Sequence, residues 1–442
     1  MKIFVLVTFI LMYVLIIAFT RHKHYVTGVS ALIMTVGLII SKDIKWYDWF
    51  LAIDFNVVLM LVGIMITVGL FTESGMPNRL ADKMISKIPN SLVALVFISV
   101  LSGVISAFID NVATVLMLAP IGIAIAKKIN VSPIPVIISV AVSSNLQGAA
   151  TLVGDTTSIM LGGFADMGFL EFFVLDGKLS IFWAVELGFV LTIPILIFIF
   201  RKENKRMLYQ SEDIAVSTIF PTYMLILNII LLVIFSFVPN KPATTNGLIC
   251  AGIGVICLVY HIFTCSPKKV MDDGQVSGSR VDAIKKAFAT IDYQTVLFLV
   301  FLFIVINAVE VVGIINDIST LFIKVGNKNV FLLYTIIVFA SVIFSAFIDN
   351  IPYVATMLPV IASLSAGLPG VSPYLLYFGL LCGATLGGNL TPVGASANVV
   401  GIGILNKEGY KVKVSDFLKI GVPFTLVAVL GGYLFCWFVW GI

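Results

Sequence analysis

Charge is what this sequence has least of. Asp, Glu, Lys and Arg make up 11% of its 442 residues, against about 25% in an ordinary soluble chain. No polar stretch is long enough to build a sizeable water-soluble domain. The net charge is only +4, and the basic residues sit in short stretches between apolar runs. They read as orientation signals and exclude a nucleic-acid patch. Histidine is nearly absent: His22, His24 and His261 lie at the ends of apolar runs, which argues against a haem, quinone or zinc site. The five cysteines, Cys250, Cys257, Cys265, Cys382 and Cys436, lack metal-ligand spacing and read as small buried hydrophobes. No phosphate-binding glycine loop is present, so any ATP drive would need a separate ATPase subunit.

What is abundant is apolar length. Hydrophobic residues make up 60% of the chain, and several runs reach the ~20 residues that cross a bilayer. The chain reads as an all-α polytopic protein of the cell membrane. Met1-Lys2 and the run 3–20 are followed by Arg21-His22-Lys23-His24 without a small-residue cleavage site. This run is therefore expected to be the first spanning helix, not a cleaved signal. Single spans are expected near 2–20, 25–40, 53–71, 179–200, 220–238, 245–264, 292–311 and 417–439.

The hexapeptide Ser-Ala-Phe-Ile-Asp-Asn occurs twice, at 106–111 and 345–350. An ionisable side chain at membrane depth costs roughly 3 kcal/mol or more and usually lines a substrate or ion route. Other matches surround it. Ile53-Asp54-Phe55-Asn56 corresponds to Ile291-Asp292-Tyr293-Gln294, Gly75 to Gly313, and Pro120 to Pro359. Thr151-Leu152-Val153-Gly154 corresponds to Thr391-Pro392-Val393-Gly394. The halves are thus residues 1–200 and 219–442, joined by a polar linker, 201–218.

Two kinds of segment do not fit single helices. Residues 91–126 and 330–366 carry Asp-Asn near their middles and are expected to be re-entrant hairpins. Residues 133–164 and 373–405 are too long for straight spans and are broken by glycines. If each hairpin returns to its own side, the clusters near residues 21–23, 79–87, 127–128, 201–206, 268–286 and 407–419 share one side. That side holds 20 of the 27 Lys and Arg and should be cytoplasmic, together with linker 201–218 and loop 265–290. The halves then have inverted topology, as in many alternating-access transporters.

Asp110-Asn111 and Asp349-Asn350 can be read two ways. Either could cap the return arm of its hairpin. A neutral amide would cap as well at lower cost, so retained carboxylates point to H⁺ or Na⁺ binding. In the breaks, glycines free backbone carbonyls that can hold Na⁺, and hydroxyls and amides can orient a substrate. The new helix N-termini suit an anion. Packing kinks are the competing explanation. Asp155 has Ala395 as its counterpart, so the halves are not equivalent. Glu186 and Glu310 are further carboxylates in apolar helices. Asp54 and Asp292 sit at helix starts and read as caps.

With these residues in view, the chain resembles the ArsB/NhaD group of the ion transporter superfamily, and within it the P protein-like bacterial permeases. The resemblance rests on Phe108-Ile109-Asp110-Asn111-Val112, on Phe347-Ile348-Asp349-Asn350-Ile351-Pro352, and on Gly387-Gly388-Asn389 with residues 394–400. Gly154-Asp155-Thr156-Thr157 resembles the sodium/proton antiporter branch. The resemblance implies two re-entrant hairpins, two unwound helices, and a site between tips and breaks. The resemblance puts that site near Asn111, Asn145, Thr151, Asn350, Asn389 and Thr391; with the carboxylates and break residues read above, the expected site also takes in Asp110, Gly154, Asp155, Thr156, Asp349, Gly388, Gly394, Ser396 and Asn398. Na⁺ would sit near Asp110, Asn111, Asp349 and Asn350. Dicarboxylate carriers of the superfamily have Ser-Asn-Thr at both tips. Here the tips read Asp110-Asn111-Val112 and Asp349-Asn350-Ile351, which favours ion exchange or a small inorganic substrate.

The expectation is therefore a secondary active transporter and not an enzyme. It would carry a small anion or oxyanion, such as arsenite or antimonite, coupled to H⁺ or Na⁺. A Na⁺/H⁺ antiporter is the nearest alternative. A dicarboxylate or citrate carrier, a channel and an intramembrane aspartyl protease are weaker ones. Beyond the coupling ion no cofactor is implied. The partners are the ion or anion cargo and the lipid bilayer. A homodimer is compatible with the sequence, and an ATPase subunit is not required.

Overall fold

The computed structural model describes residues 1–19, 22–206, 214–264, 288–326, 329–368 and 371–442. Arg21, Cys265, residues 207–213 of the linker and residues 265–287 of the expected loop lie outside them.

The first half runs α1 (Lys2–Ala18), α2 (Lys23–Ile40), a single turn α3 (Asp48–Leu51), α4 (Phe55–Glu73), α5 (Met76–Ile85), α6 (Ser91–Ser106), α7 (Asn111–Lys128), α8 (Pro133–Gln147), α9 (Thr156–Phe164) and α10 (Ile181–Phe200). A two-residue pairing, β1 (Val174–Leu175) with β2 (Lys178–Leu179), precedes α10. The second half runs α11 (Phe220–Ser236), α12 (Thr245–Thr264), α13 (Tyr293–Val311), α14 (Ile314–Gly326), α15 (Val330–Ser345), α16 (Asn350–Ala366), α17 (Pro373–Leu381), α18 (Ser396–Lys407) and α19 (Val414–Trp440). Among the described residues, α2, α4, α7, α10, α12, α13 and α19 are long and apolar enough to cross a membrane. The molecule presents large apolar side chains outward, Phe198, Phe347 and Phe438 among them. Such a surface suits lipid, where every backbone group must be satisfied within helices.

Local geometry recurs at matching positions. Asp54 accepts the Val57 N–H at 3.1 Å, and Asp292 accepts those of Gln294 and Thr295, each at 3.1 Å. Gly75 and Gly313 take left-handed backbone, φ 76° and 77°, which glycine alone adopts without strain. Asn90 and Asn329 cap α6 and α15. Asp110 and Asp349 have nearly the same backbone conformation, φ −46°, ψ 138° and φ −50°, ψ 141°.

One difference from the sequence reading concerns α5. Arg79 and Lys83 lie not in a connecting stretch but on this helix, which buries Pro77, Ala81, Asp82 and Ile85. Its counterpart α14 likewise buries one face, with Ile314, Ile315 and Ser319. Both are too short to read as spans of their own, and α5 is also polar.

The halves exchange their opening helices. The α1–α2 pair packs on α13, and α12 packs on α4. The Tyr13 hydroxyl reaches Pro352 O at 2.8 Å and Thr356 Oγ1 at 2.6 Å on α16. Lys2 pairs with Asp317 at 2.6 Å. Across the other exchange, the Gly247 N–H donates to Asn56 Oδ1 at 2.7 Å. Lipid gives no hydrophobic drive for helix association, so close packing and such bonds must hold the arrangement. Helices α8 and α17 are almost wholly buried and place the two breaks at the centre.

Candidate ion and substrate site

Each break is held against the turn between the paired helices by the same device. Thr151 Oγ1 donates to Ala107 O, and Thr391 Oγ1 donates to Ala346 O. A Cβ on Gly154 would lie 2.8 Å from both the Ser106 and Ala107 carbonyls. One on Gly394 would lie 2.8 Å from Ser345 O and 3.0 Å from Ala346 O. Only glycine lets these chains approach so closely.

Amides link the two breaks. Asn111 Nδ2 donates to Asn145 Oδ1 at 3.1 Å, and Asn145 Nδ2 donates to Asn389 Oδ1 at 3.0 Å and to Thr385 O at 2.8 Å. Asn389 Nδ2 returns to Val142 O at 2.8 Å. Asn398 Nδ2 bonds Gly388 O at 3.1 Å and Thr391 O at 3.2 Å.

Beside this framework lies a cavity of about 310 Å³, at the small end of ordinary ligand sites. Asp110, Asn111, Asn145, Gly154, Asp155, Thr156, Asp349, Asn350 and Ser396 line it. Thr151, Gly388, Asn389, Thr391, Gly394 and Asn398 do not. Thr151, Asn389, Thr391 and the Asn398 Nδ2 are engaged with backbone or amide partners, and Gly394 packs against the turn, so these residues brace the breaks; Asn398 Oδ1 is buried without a partner.

The wall also includes Lys23, Thr290, Asp292 and Thr295, which sequence reasoning does not place there. From the sequence, Lys23 reads only as a topology signal and Asp292 only as a cap. Asp292 caps and lines the cavity, whereas Asp54 caps and does not. Glu186 and Glu310 are outside the wall, and Glu310 is exposed.

The repeated aspartates differ in what they do. Asp110 Oδ2 accepts the N–H groups of Val112 at 3.0 Å and Ala113 at 3.1 Å. Asp349 makes no cap bond and accepts from Lys23 Nζ at 2.6 Å. Asp155, 7% exposed, accepts from Thr157 Oγ1 at 3.0 Å. Among the described residues, the wall thus holds four carboxylates, Asp110, Asp155, Asp292 and Asp349, and one ammonium, Lys23. With all five ionised the formal balance is 1 − 4 = −3. Among the described residues no three His, Cys, Asp or Glu converge as a metal-ligand group. Neutral hydroxyls and amides line the same wall as the carboxylates.

A central cavity that holds carboxylates among apolar side chains and is walled by helix breaks, in a polytopic α-helical protein, is the arrangement of a membrane transporter. The chain belongs to the citrate transporter family, whose sequence pattern matches residues 12–378 and 254–442. It is 29% identical to an uncharacterized transporter of Mycobacterium tuberculosis strain H37Rv, over 99% of this chain and 98% of that one. It is 25% identical to the human P protein, over 95% of this chain and 58% of the longer human one. Its fold is similar to the YdaH transporter of Alcanivorax borkumensis (TM-score 0.57, 13% identity, 88% of this chain and 85% of that one). It is also similar to MtrF of Neisseria gonorrhoeae (TM-score 0.54, 16% identity, 87% and 80%). The protein is a multi-pass membrane secondary transporter, not an enzyme.

Proposed function

We propose that this transporter exchanges an alkali cation such as Na⁺ for protons by alternating access. The reading rests on one observation: four carboxylates and a single ammonium line the cavity among the described residues. A field of that sign concentrates cations and opposes anions. Asp110 and Asp155 alternate between proton and cation, Asp349 adds a third carboxylate, and Asn111, Asn145, Thr156, Asn350 and Ser396 supply neutral oxygens. This agrees with the resemblance of Gly154-Asp155-Thr156-Thr157 to the antiporter branch of the ArsB/NhaD group. The ion gradient drives the cycle without an ATPase subunit. The halves work as inverted repeats in the cell membrane, with linker 201–218 and loop 265–290 cytoplasmic. Lys23, Thr290 and Asp292 then mark the cytoplasmic rim, and this conformation opens inward.

A second reading is an anion or oxyanion carrier. It is favoured by the family's description as citrate transporters and by the N-termini of α9 and α18, whose Thr156 and Ser396 reach the cavity. An anion there would need most of the carboxylates protonated or neutralised by bound cations.

Proton flux in proteoliposomes holding a pH-sensitive dye separates the two. Na⁺ or Li⁺ alone is expected to change the internal pH. Silence with both cations, and a response to arsenite, citrate or succinate, would replace the exchanger with the anion carrier.

A further inference from the structure

Among the described residues Lys23 is the only ammonium in the cavity wall, and it comes from the start of α2, outside every motif that marks the site. Its Nζ lies 2.6 Å from Asp349 Oδ2. It also stands 5.0 Å from the centre of the Phe298 ring, a second place where an ammonium is held favourably. The two charged side chains retain 16% and 23% exposure, so a small ion can reach the pair. Asp349 leaves α16 without a side-chain cap, although Asp110 in the same hexapeptide caps α7.

The Ile351 N–H stands where the Val112 N–H bonds Asp110, but Pro352 replaces Ala113 and has no N–H to donate, so Asp349 could form at most half of that cap. The lysine takes its place. A lysine ammonium is a compact, strongly hydrated point charge on a flexible stem. It is the side chain closest in behaviour to a hydrated alkali cation. We propose that Lys23 is a tethered counter-ion, which the cargo cation must displace from Asp349 before the site is loaded. This rests on the cation-exchange reading. Lys23 then sets the affinity of the Asp349 half of the cavity, while Asp110 and Asp155 bind without such competition. On release the ammonium can stay near the Phe298 ring. Its charge therefore remains in the wall and weakens the binding of further cations. The two copies of the hexapeptide thereby become a low-affinity and a high-affinity position.

The test pairs transport with chemistry on the lysine itself. Na⁺-driven proton flux is measured for the wild type, Lys23→Met, Lys23→Arg and Asp349→Asn. Amine labelling of Lys23 is measured by mass spectrometry in NaCl and in choline chloride at equal ionic strength. Removing the competitor should lower the half-saturating Na⁺ concentration about two- to fivefold in Lys23→Met, the worth of a partly exposed ion pair. Lys23→Arg should return it toward the wild-type value. Labelling of wild-type Lys23 should rise in NaCl. In Asp349→Asn it should be high in both salts. Measurable Na⁺ flux with identical labelling in the two salts overturns the counter-ion and leaves the exchanger standing. Neither flux nor a labelling change overturns both. The labelling arms on the wild type and Asp349→Asn decide the matter even if Lys23→Met fails to fold.

Discussion

Two aspartates in identical hexapeptides, with nearly the same backbone angles, have different partners. Asp110 holds two backbone N–H groups of α7, and Asp349 holds the ammonium of Lys23. Substitution should expose the difference. Asparagine caps about as well as aspartate, so Asp110→Asn should remain folded. It should lose about ten- to hundredfold in Na⁺-driven flux, as expected when a charged partner is removed from a binding site. Asp349→Asn should lose flux and also melt at a lower temperature, because Lys23 is left without its counter-charge. Thermal melts in detergent, set beside flux in proteoliposomes, check both. Equal melting temperatures for the two variants would contradict the assignment. Both aspartates were legible in the sequence as costly residues in apolar surroundings. Their division of labour was only half legible: Pro352, which lacks the N–H that Ala113 gives Asp110, stands in the sequence, whereas the partner Lys23 lies more than 300 residues away in the chain.

Among the elements, the broken helices are the most demanding. Gly154 and Gly394 press against the turns after α6 and α15, and a methyl group on either would overlap backbone carbonyls. Overpacking of this kind costs about 1–3 kcal/mol, and here it would push the break away from the turn. Gly154→Ala and Gly394→Ala should each lower the melting temperature and reduce flux, and both effects should exceed those of Gly403→Ala, whose Cβ would meet open space. The glycine-rich breaks and the Asp-Asn turns were readable because Gly, Asn and Asp in a long apolar run have few other uses. The short helices α5 and α14 were not readable. Their single buried faces are set by packing under the spans, and their charged residues resemble those of a loop.

At the scale of the whole molecule, the two halves wrap around each other, each resting its opening helix pair on the other half. Val112 and Ile351 follow the two tip motifs and both line the cavity. Cysteines at these positions should react with a membrane-impermeant thiol reagent from opposite sides as the cation gradient is reversed. Reactivity that ignores the gradient would count against alternating access. Tags placed after Asn204 and within residues 265–290 should both be cytoplasmic, and an external position for either would overturn the proposed orientation. Protease protection in inverted vesicles reads this directly.

The sequence by itself determined the membrane class, the positions of nearly all the long helices and the two breaks. Each is written locally, in apolar length, in helix-ending residues and in costly buried polar groups. It also named Asp110, Asp155 and Asp349 as cavity residues, because an ionisable group at membrane depth needs a reason to be there. Only the tertiary structure decided that Lys23 and Asp292 complete the wall, and that Thr151, Asn389 and Thr391 brace it. Those assignments depend on which half packs against which. A bond between Lys23 and Asp349 leaves no trace in the spacing of either residue. It exists because α2 of the first half lies on α13 of the second, and that is a fact of packing.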